Sequence, residues 1–305
     1  LPAFPAKSTA ELKKLALDLH NKTCAESEYI IDGTSATVIQ NSTRIVLINS
    51  HGLELSTNVG VVGMGAQAVV AKDGENQASF ALESGFGEEL VDSIAKRATS
   101  DALAKIGACE IESGKYDVIF CGKQMKDLLS TFSSVFSGRS ANLGLSLLKG
   151  KEGEKIAADC VTLIDDPQKK GSATQTAFDG EGVATYTKKV IENGVLNTLL
   201  YDIASADKVG KESTGNGQRG SYASPVSVAP YHFYLAGGSL SDDELLASMG
   251  DGLYITELKG LHAGANAVTG DFSIESAGFR VRDGKKCEAI KSFTVAGNFF
   301  QLIKE

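Results

Sequence analysis

Two adjacent carboxylates lie at the end of an apolar segment in the middle of the chain. Asp165 and Asp166 follow the run Val161–Ile164, which is typical of a buried strand, and Pro167 comes next. Paired carboxylates at a strand end could bind a cation or share a proton. The same pair could instead cap the turn before the proline, and the residues alone leave both interpretations open.

The segment Thr214–Gly220 (TGNGQRG) has the composition of a ligand-binding loop. Its small residues let the backbone approach a ligand, and the Asn216 side chain offers both a donor and an acceptor. Arg219 could bind a carboxylate through two hydrogen bonds, as a peptide C-terminus would require. The alternative is a glycine-rich turn that carries a surface arginine. The predicted substrate-binding residues are Asn216, Gly217, Arg219, Asp165 and Asp166.

An aromatic run follows Pro230, comprising Tyr231, His232, Phe233 and Tyr234. These side chains could line a groove and stack on a substrate. They could instead form a strand with one buried face, which is the interpretation that we favour.

The histidines do not form a local metal site. A zinc peptidase of the HExxH type places two histidines on one helix face, with a glutamate beside the metal-bound water. The four histidines here are far apart in sequence: His20, His51, His232 and His262. Any zinc site would have to be assembled over long range, so we predict no metal or other cofactor bound by this chain.

Other short catalytic motifs are also missing from the sequence. It contains neither GxSxG, the nucleophile turn of many hydrolases, nor a complete phosphate-binding GxxxxGK[ST] loop. Gly63–Ala68 (GMGAQA) fits a dinucleotide-binding pattern, but such a site needs a helix to begin there. The residues that follow are typical of a strand and a turn, so we predict a strand. None of the usual arrangements for peptide hydrolysis is recognisable.

The composition argues against a nucleic-acid-binding protein and against a membrane protein. The 305 residues are enough for two domains, and a net charge of −8 opposes tight binding to nucleic acid. No apolar run approaches the roughly 20 residues of a membrane helix, so we predict no membrane insertion. The five cysteines contain no CxxC pair, which favours buried, reduced thiols in a cytoplasmic protein.

The front part of the chain has the pattern of helix, sheet and helix. Ser8–Glu11 is a capping box before an amphipathic helix that extends to about Cys24. Strands follow, with turns at Asn49–Gly52 and Asp73-Gly74. A second helix is predicted from Gly87 to Ile106, where Gly107 would end it. We place a domain boundary near Gly114, giving a partial α+β domain over 1–113.

The second part, 114–305, is predicted to be a larger, mostly antiparallel β domain with a barrel-like body. It begins with a short strand at Asp117–Cys121 and a helix whose apolar stripe includes Leu128 and Phe132. Asn193-Gly194 and Asp283-Gly284 are strong hairpin signals between apolar flanks. The predicted fold class is therefore α+β.

The order and spacing of several segments resemble those of the TldD/PmbA family, also called modulator of DNA gyrase. The residues that carry the resemblance are the run from Asp165 to Arg219, then Gly270–Phe272 (GDF) and Gly297-Asn298 (GN). The family pairs a zinc peptidase subunit with a metal-free relative. Its members carry further sequence before and after the matched part, so we expect this chain to be a fragment.

The resemblance also indicates a branch of the family. In the peptidase subunit a HExxxH helix precedes the segment that reads GEKIAADCVTLIDDP here, at Gly153–Pro167. Its equivalent, Leu129–Gly138 (LSTFSSVFSG), has no histidine and no glutamate. A cysteine ligand near the family's C-terminus does not correspond to Cys287, which lies earlier. The departure points to the PmbA/TldE branch, which lacks the zinc motif.

The resemblance implies a function, which we state as an expectation. This chain would pair with a TldD-like subunit that carries zinc, or with itself, in a cytoplasmic peptidase complex acting on unfolded peptides. It would supply interface and substrate groove. Two alternatives are a stand-alone peptide-binding homodimer without protease activity, and a hydrolase that uses Asp165 and Asp166 with a hard cation.

Overall fold

The computed structural model describes residues 6–172 and 174–305, which form a mixed α+β structure. The fold class predicted from the sequence is thus confirmed. Its contacts divide the chain into two compact units. The first comprises the described part of Leu1–Ile45, Ser56–Glu110 and Glu288–Ile290, and the second comprises Val46–Leu55, Ile111–Cys287 and Lys291–Glu305.

The first unit contains two helices and a three-stranded sheet of order β1-β2-β3. Its elements are α1 Thr9–Ala25, β1 Ser35–Ile48, β2 Glu54–Lys72, β3 Glu75–Ser84 and α2 Glu88–Leu103; the tip of the β1–β2 hairpin belongs to the second unit. The predicted helix–sheet–helix order is confirmed. The Ser8 capping box forms, with the Ser8 hydroxyl accepting from the backbone N–H of Glu11.

The core of this unit lies where one face of the sheet meets the helices. Leu19, Met64, Ala66, Ile94 and Ala98 are fully buried there. Small residues on β2 leave room for the helices, and the alternation along β2 and β3 directs every second side chain inward. The GMGAQA segment lies within β2 and pairs with β3, as the strand prediction requires.

The second unit is less regular. Its helices are α3 Gly122–Phe132, α4 Gly138–Asn142, α5 Ile203–Asp207, α6 Asp242–Met249, α7 Leu261–Gly264 and α8 Phe299–Leu302, with a 3-10 turn at Ser133–Phe136. Its strands are β4 Val118–Phe120, β5 Leu163–Asp165, β6 Lys188–Glu192, β7 Val195–Leu196, β8 Gly217–Gln218, β9 Ser227–Val228, β10 Phe233–Leu235, β11 Gly252–Lys259, β12 Asp271–Arg282 and β13 Lys285–Asn298. Both predicted hairpins, at Asn193-Gly194 and Asp283-Gly284, are confirmed.

Three open sheets of the described residues account for these strands, with the orders β10-β5-β6-β7, β13-β12-β11-β4 and β8-β9. Within the second of these, β4 runs parallel to β11. The core contains a cluster of phenylalanines, in which the rings of Phe132 and Phe299 stack with their centroids 4.7 Å apart. Phe132, Phe136 and Phe299 are completely buried.

Two further expectations from the sequence, on membrane helices and on cysteines, can be compared with the structure. No described helix is both long and apolar enough to cross a membrane. All five cysteines are free thiols, but Cys24, Cys160 and Cys287 are exposed, so the expectation that the cysteines are buried is wrong for these three.

Candidate functional site

The end of strand β5 places Asp165 at the centre of a buried polar cluster. β5 is a central strand of its sheet, so Asp165 has neighbours on both sides, opposite Phe233 of β10 and Lys188 of β6. Cross-strand neighbours have Cβ atoms about 5 Å apart, which brings the Lys188 ammonium within reach of the carboxylate.

Three donors satisfy the Asp165 carboxylate, whose side chain is completely buried. Lys188 Nζ lies 3.2 Å from Oδ2, and Asn216 Nδ2 donates to the same oxygen across 2.7 Å. The backbone N–H of Tyr231 donates to Oδ1 across 2.7 Å. A buried charge is tolerated only when it is paired and hydrogen-bonded in this way.

Lys188 is the cation of this cluster, and its side chain is only 4% exposed. Burial lowers the pKa of Lys188, and the attraction of Asp165 offsets part of that effect. The ammonium also lies 4.5 Å from the centre of the Tyr186 ring, a cation–π contact. Tyr186 is half exposed, so its ring separates the ion pair from solvent. Burial shifts the pKa of the Tyr186 phenol in the opposite direction, upward, because the charged form of a phenol is the deprotonated one.

The glycine-rich loop is joined to the cluster through Asn216. Its side chain is fully buried and uses both ends of the amide. Nδ2 donates to Asp165 and to the Ala229 carbonyl, while Oδ1 accepts the Thr214 hydroxyl across 2.8 Å. Asn216 therefore shapes the loop from within, and both N–H donors of its amide are used inside the protein.

A second turn, residues 179–183, clamps the same loop. The backbone N–H of Gly217 donates to Asp179 Oδ2 across 2.8 Å, and the Gly180 N–H donates to the Gly217 carbonyl across 2.6 Å. A Cβ atom at Gly217 would lie 2.6 Å from Glu181 Oε2, so only glycine fits without displacement. Asp179 Oδ1 in turn accepts from the N–H groups of Glu181 and Val183.

Arg219 and Asp166 lie in networks of their own. The Arg219 guanidinium donates to the carbonyls of Gly180 and Ser224, across 3.2 and 2.8 Å, and the residue is exposed. Asp166 Oδ1 accepts the Thr187 hydroxyl and the backbone N–H of Gln168. The structure thus joins Asp165 and Asn216 directly and places Gly217 next to them in the loop. Asp166 makes the contacts of a residue that caps a turn, which is one of the two interpretations left open by the sequence.

Sequence reasoning missed Lys188, Tyr186 and Asp179. One signal was available: Lys188 lies two positions before the apolar Val190, and alternate residues of a strand share a face. A lysine on the apolar face of a strand indicates a buried partner charge. Nothing local identifies that partner, because Asp165 lies on another strand.

The described residues can be compared with the side-chain clusters that hold metal ions in proteins. Among residues 6–172 and 174–305, no three His, Cys, Asp or Glu side chains come together to hold a metal ion. The segment Leu129–Gly138 ends helix α3 and forms the 3-10 turn, and its apolar side chains enter the core. It contains no His, Cys, Asp or Glu, the residue types that bind zinc.

Two family models match the chain. The PmbA/TldA metallopeptidase C-terminal domain matches residues 113–305, and the central domain of the same family matches residues 2–106. A Methanocaldococcus jannaschii protein of uncharacterised function is 33% identical over 260 residues, covering 85% of this chain and 60% of that protein. The chain spans 60 to 65% of the length of the first curated relatives that it matches.

Solved structures agree with these matches. A Thermotoga maritima protein, whose name connects it with modulation of a DNA gyrase, superposes with a TM-score of 0.90 at 32% identity, over 98% of this chain and 68% of that one. TldE from Thermococcus kodakarensis superposes with a TM-score of 0.85 at 25% identity, over 99% of this chain and 70% of that one. The chain belongs to the PmbA/TldD metallopeptidase family.

Proposed function

We propose that this chain is a PmbA/TldE-type, metal-free subunit of a TldD/TldE-type zinc metallopeptidase. In such a complex it would supply interface and part of the substrate groove, while a TldD-like partner holds the zinc. The observation that carries the proposal is the packing of Leu129–Gly138. This is the segment whose equivalent in the peptidase subunit bears HExxxH.

The side chains of this segment are committed to the core. Phe132 stacks on Phe299, and Phe136 meets the edge of Phe233 at 5.4 Å between ring centroids. Leu129 and Val135 are also buried. A catalytic zinc needs three protein ligands and an open position for water. A dry aromatic cluster offers neither, which supports a subunit that contributes no metal.

The glycine-rich loop supports a role in binding peptide. Asp165, Asn216 and Asp179 hold its backbone from the buried side, so its geometry is fixed before a ligand arrives. Pre-ordered loops bind with a smaller entropy cost than mobile ones. Arg219 lies on the exposed side and keeps guanidinium donors beyond the two used by Gly180 and Ser224. We propose that Arg219 contacts an unfolded peptide in the assembled, cytoplasmic complex.

Reconstitution tests this function. The full-length protein is mixed with a HExxxH-bearing subunit from the same cells, and hydrolysis of unfolded peptides is followed with each subunit alone and with both. Activity is expected only with both. Peptide binding by this protein alone, unchanged by the partner, would favour the stand-alone homodimer instead.

The contribution of the loop is tested in the same complex. Arg219→Ala is expected to weaken peptide binding about tenfold or more, since one charge-assisted hydrogen bond contributes about 1.5–3 kcal/mol. Arg44→Ala, at an exposed position on β1, is the matched control. If Arg219→Ala keeps its melting temperature and stays within twofold of wild type, the loop is only a turn.

A further inference from the structure

A serine, a threonine and a histidine meet beside the β5–β10 strand pair, outside the cluster described above. Ser172 Oγ lies 2.6 Å from His232 Nε2, and Thr174 Oγ1 lies 2.9 Å from the same nitrogen. The two hydroxyl oxygens are 3.0 Å apart. Ser172 and His232 are separated by 60 residues in sequence, so the fold creates this contact.

The sheet fixes the position of the histidine. His232 immediately precedes β10, and its carbonyl accepts from the backbone N–H of Asp166 across 3.0 Å. In return, His232 Nδ1 lies 2.9 Å from the Asp166 carbonyl oxygen. The backbone and the ring of His232 are therefore both held by the backbone of Asp166, the residue that follows β5.

This second contact determines which ring nitrogen carries the proton. A carbonyl oxygen can only accept, so Nδ1 must be the donor. In the neutral ring Nε2 is then unprotonated, with its lone pair directed toward the hydroxyls. Since Nε2 has a single lone pair and Ser172 is the closer hydroxyl, the Ser172 O–H donates to it. The Thr174 hydroxyl is the neighbour of this pair.

The arrangement has the three parts of an activated nucleophile. A hydroxyl lies within hydrogen-bond reach of a base, and a third group orients that base. Ser172 and His232 are partly exposed, so a reagent can reach them. We propose that Ser172 is a nucleophile, that His232 is its general base, and that the pair takes acyl groups from activated esters. This goes beyond the proposed role in a peptidase complex.

The step balances without a metal or redox partner. Ser172 Oγ attacks the ester carbonyl carbon, and its proton passes to His232 Nε2. The bond from the carbonyl carbon to the alcohol oxygen breaks, and the alcohol leaves with the proton from Nε2. A water molecule then attacks the acyl-serine, giving up a proton to His232 that returns to Ser172 as the carboxylic acid departs.

Esters with good leaving groups suit this site better than peptides. The amine of a peptide must be protonated before it can leave, so its tetrahedral oxyanion depends more on stabilisation by preorganised N–H donors than that of an activated ester. The contacts described here supply a base and its orienting carbonyl. The Thr174 N–H, which lies near the serine, donates to Ser172 Oγ itself across 3.1 Å. The chemistry is therefore acyl transfer from a reactive ester.

The test uses the full-length protein with p-nitrophenyl acetate as the probe. Peptide mapping of the wild-type protein is expected to find acetyl on Ser172 before any other hydroxyl. His232→Gln is expected to slow that acetylation about 100-fold, the usual contribution of a general base. Ser224→Ala is the matched control, because Ser224 Oγ contacts only another serine hydroxyl, Ser221, in the described structure, and should leave the rate unchanged.

Two outcomes overturn the proposal. The first is that Ser172 of the wild-type protein is acetylated no faster than its exposed serines. This result does not depend on whether any variant folds. The second is an undiminished rate in a folded His232→Gln protein. Thr174→Val checks the assignment, since it should leave the acetyl group on Ser172. Partner-dependent peptide hydrolysis should survive Ser172→Ala, so failure here is distinct from failure of the peptidase role.

Discussion

Asn216 donates a side-chain hydrogen bond to the Asp165 carboxylate across 2.7 Å, and both side chains are completely buried. The two residues are 51 positions apart, and their bond joins the end of β5 to the glycine-rich loop. The loop's backbone is thereby fixed by the same group that pairs with Lys188. The Asp165 carboxylate thus pairs with the buried lysine and at the same time holds the loop in place.

The first prediction follows from that bond. Asn216→Ala removes donors to Asp165 and to the Ala229 carbonyl and leaves the buried carboxylate with one partner fewer. The free energy of unfolding should fall by about 1.5–3 kcal/mol, the usual cost of a lost hydrogen bond to a charged group. Denaturant unfolding measures this. Asn197→Ala, which loses one exposed bond, should change it by less than about 0.5 kcal/mol. Equal effects would contradict the account.

The second prediction concerns the buried ion pair. Lys188→Met leaves the buried Asp165 carboxylate without its cation and should lower the free energy of unfolding by about 3–5 kcal/mol. The double variant Lys188→Met with Asp165→Asn removes both charges and should be more stable than Lys188→Met alone. Lys189→Met, on the exposed neighbour, should cost no more than about 1 kcal/mol. Asp165→Asn is measured alone as well. If the double variant loses at least as much unfolding free energy as the two single variants added together, the two charges are not coupled.

The third prediction tests the core that fills the segment Leu129–Gly138. Phe132→Ala removes a fully buried ring stacked on Phe299 and should cost about 3–5 kcal/mol. Tyr222→Ala truncates a completely exposed ring and should stay within about 0.5 kcal/mol of wild type. Thermal and denaturant unfolding measure both. A small loss at Phe132 would mean that this segment is loosely packed and free to serve another role.

The fourth prediction concerns pH. Burial raises the pKa of Glu181 above its ordinary value, and nearby Asp202 and Asp179 add to the shift. A raised carboxyl pKa gives stability that is complete below the unfolded-state value and is lost as pH rises through the folded-state value. Glu181→Gln keeps an oxygen for the Ile203 N–H but has no charge. Its stability relative to wild type should therefore increase from about pH 4 toward neutrality. A difference that is constant or falls over this range would contradict the shift.

Local signals predicted the regular elements well. The capping box at Ser8 begins a helix, and the Asn193-Gly194 and Asp283-Gly284 turns join paired strands. Each of these signals acts over a few residues, through one side chain or one positive φ angle. They can be identified without knowing the rest of the fold.

Long-range contacts could not be predicted in this way. Lys188 meets Asp165 only because β6 pairs with β5, and Ser172 meets His232 only because β10 lies on the other side of β5. Strand order depends on the packing of the whole unit. The sequence predicted Asp165 and Asn216 as substrate-binding residues, and it gave no sign of the hydrogen bond that joins the two side chains in the structure.

The metal content of the assembled complex shows which subunit supplies the zinc ligands. We expect that this chain contributes none and that its partner supplies them all. Elemental analysis should find no stoichiometric zinc in the full-length protein alone and about one zinc per pair with the HExxxH subunit, lost when that subunit's motif histidines are replaced. About one tightly held zinc in this protein alone would contradict this expectation.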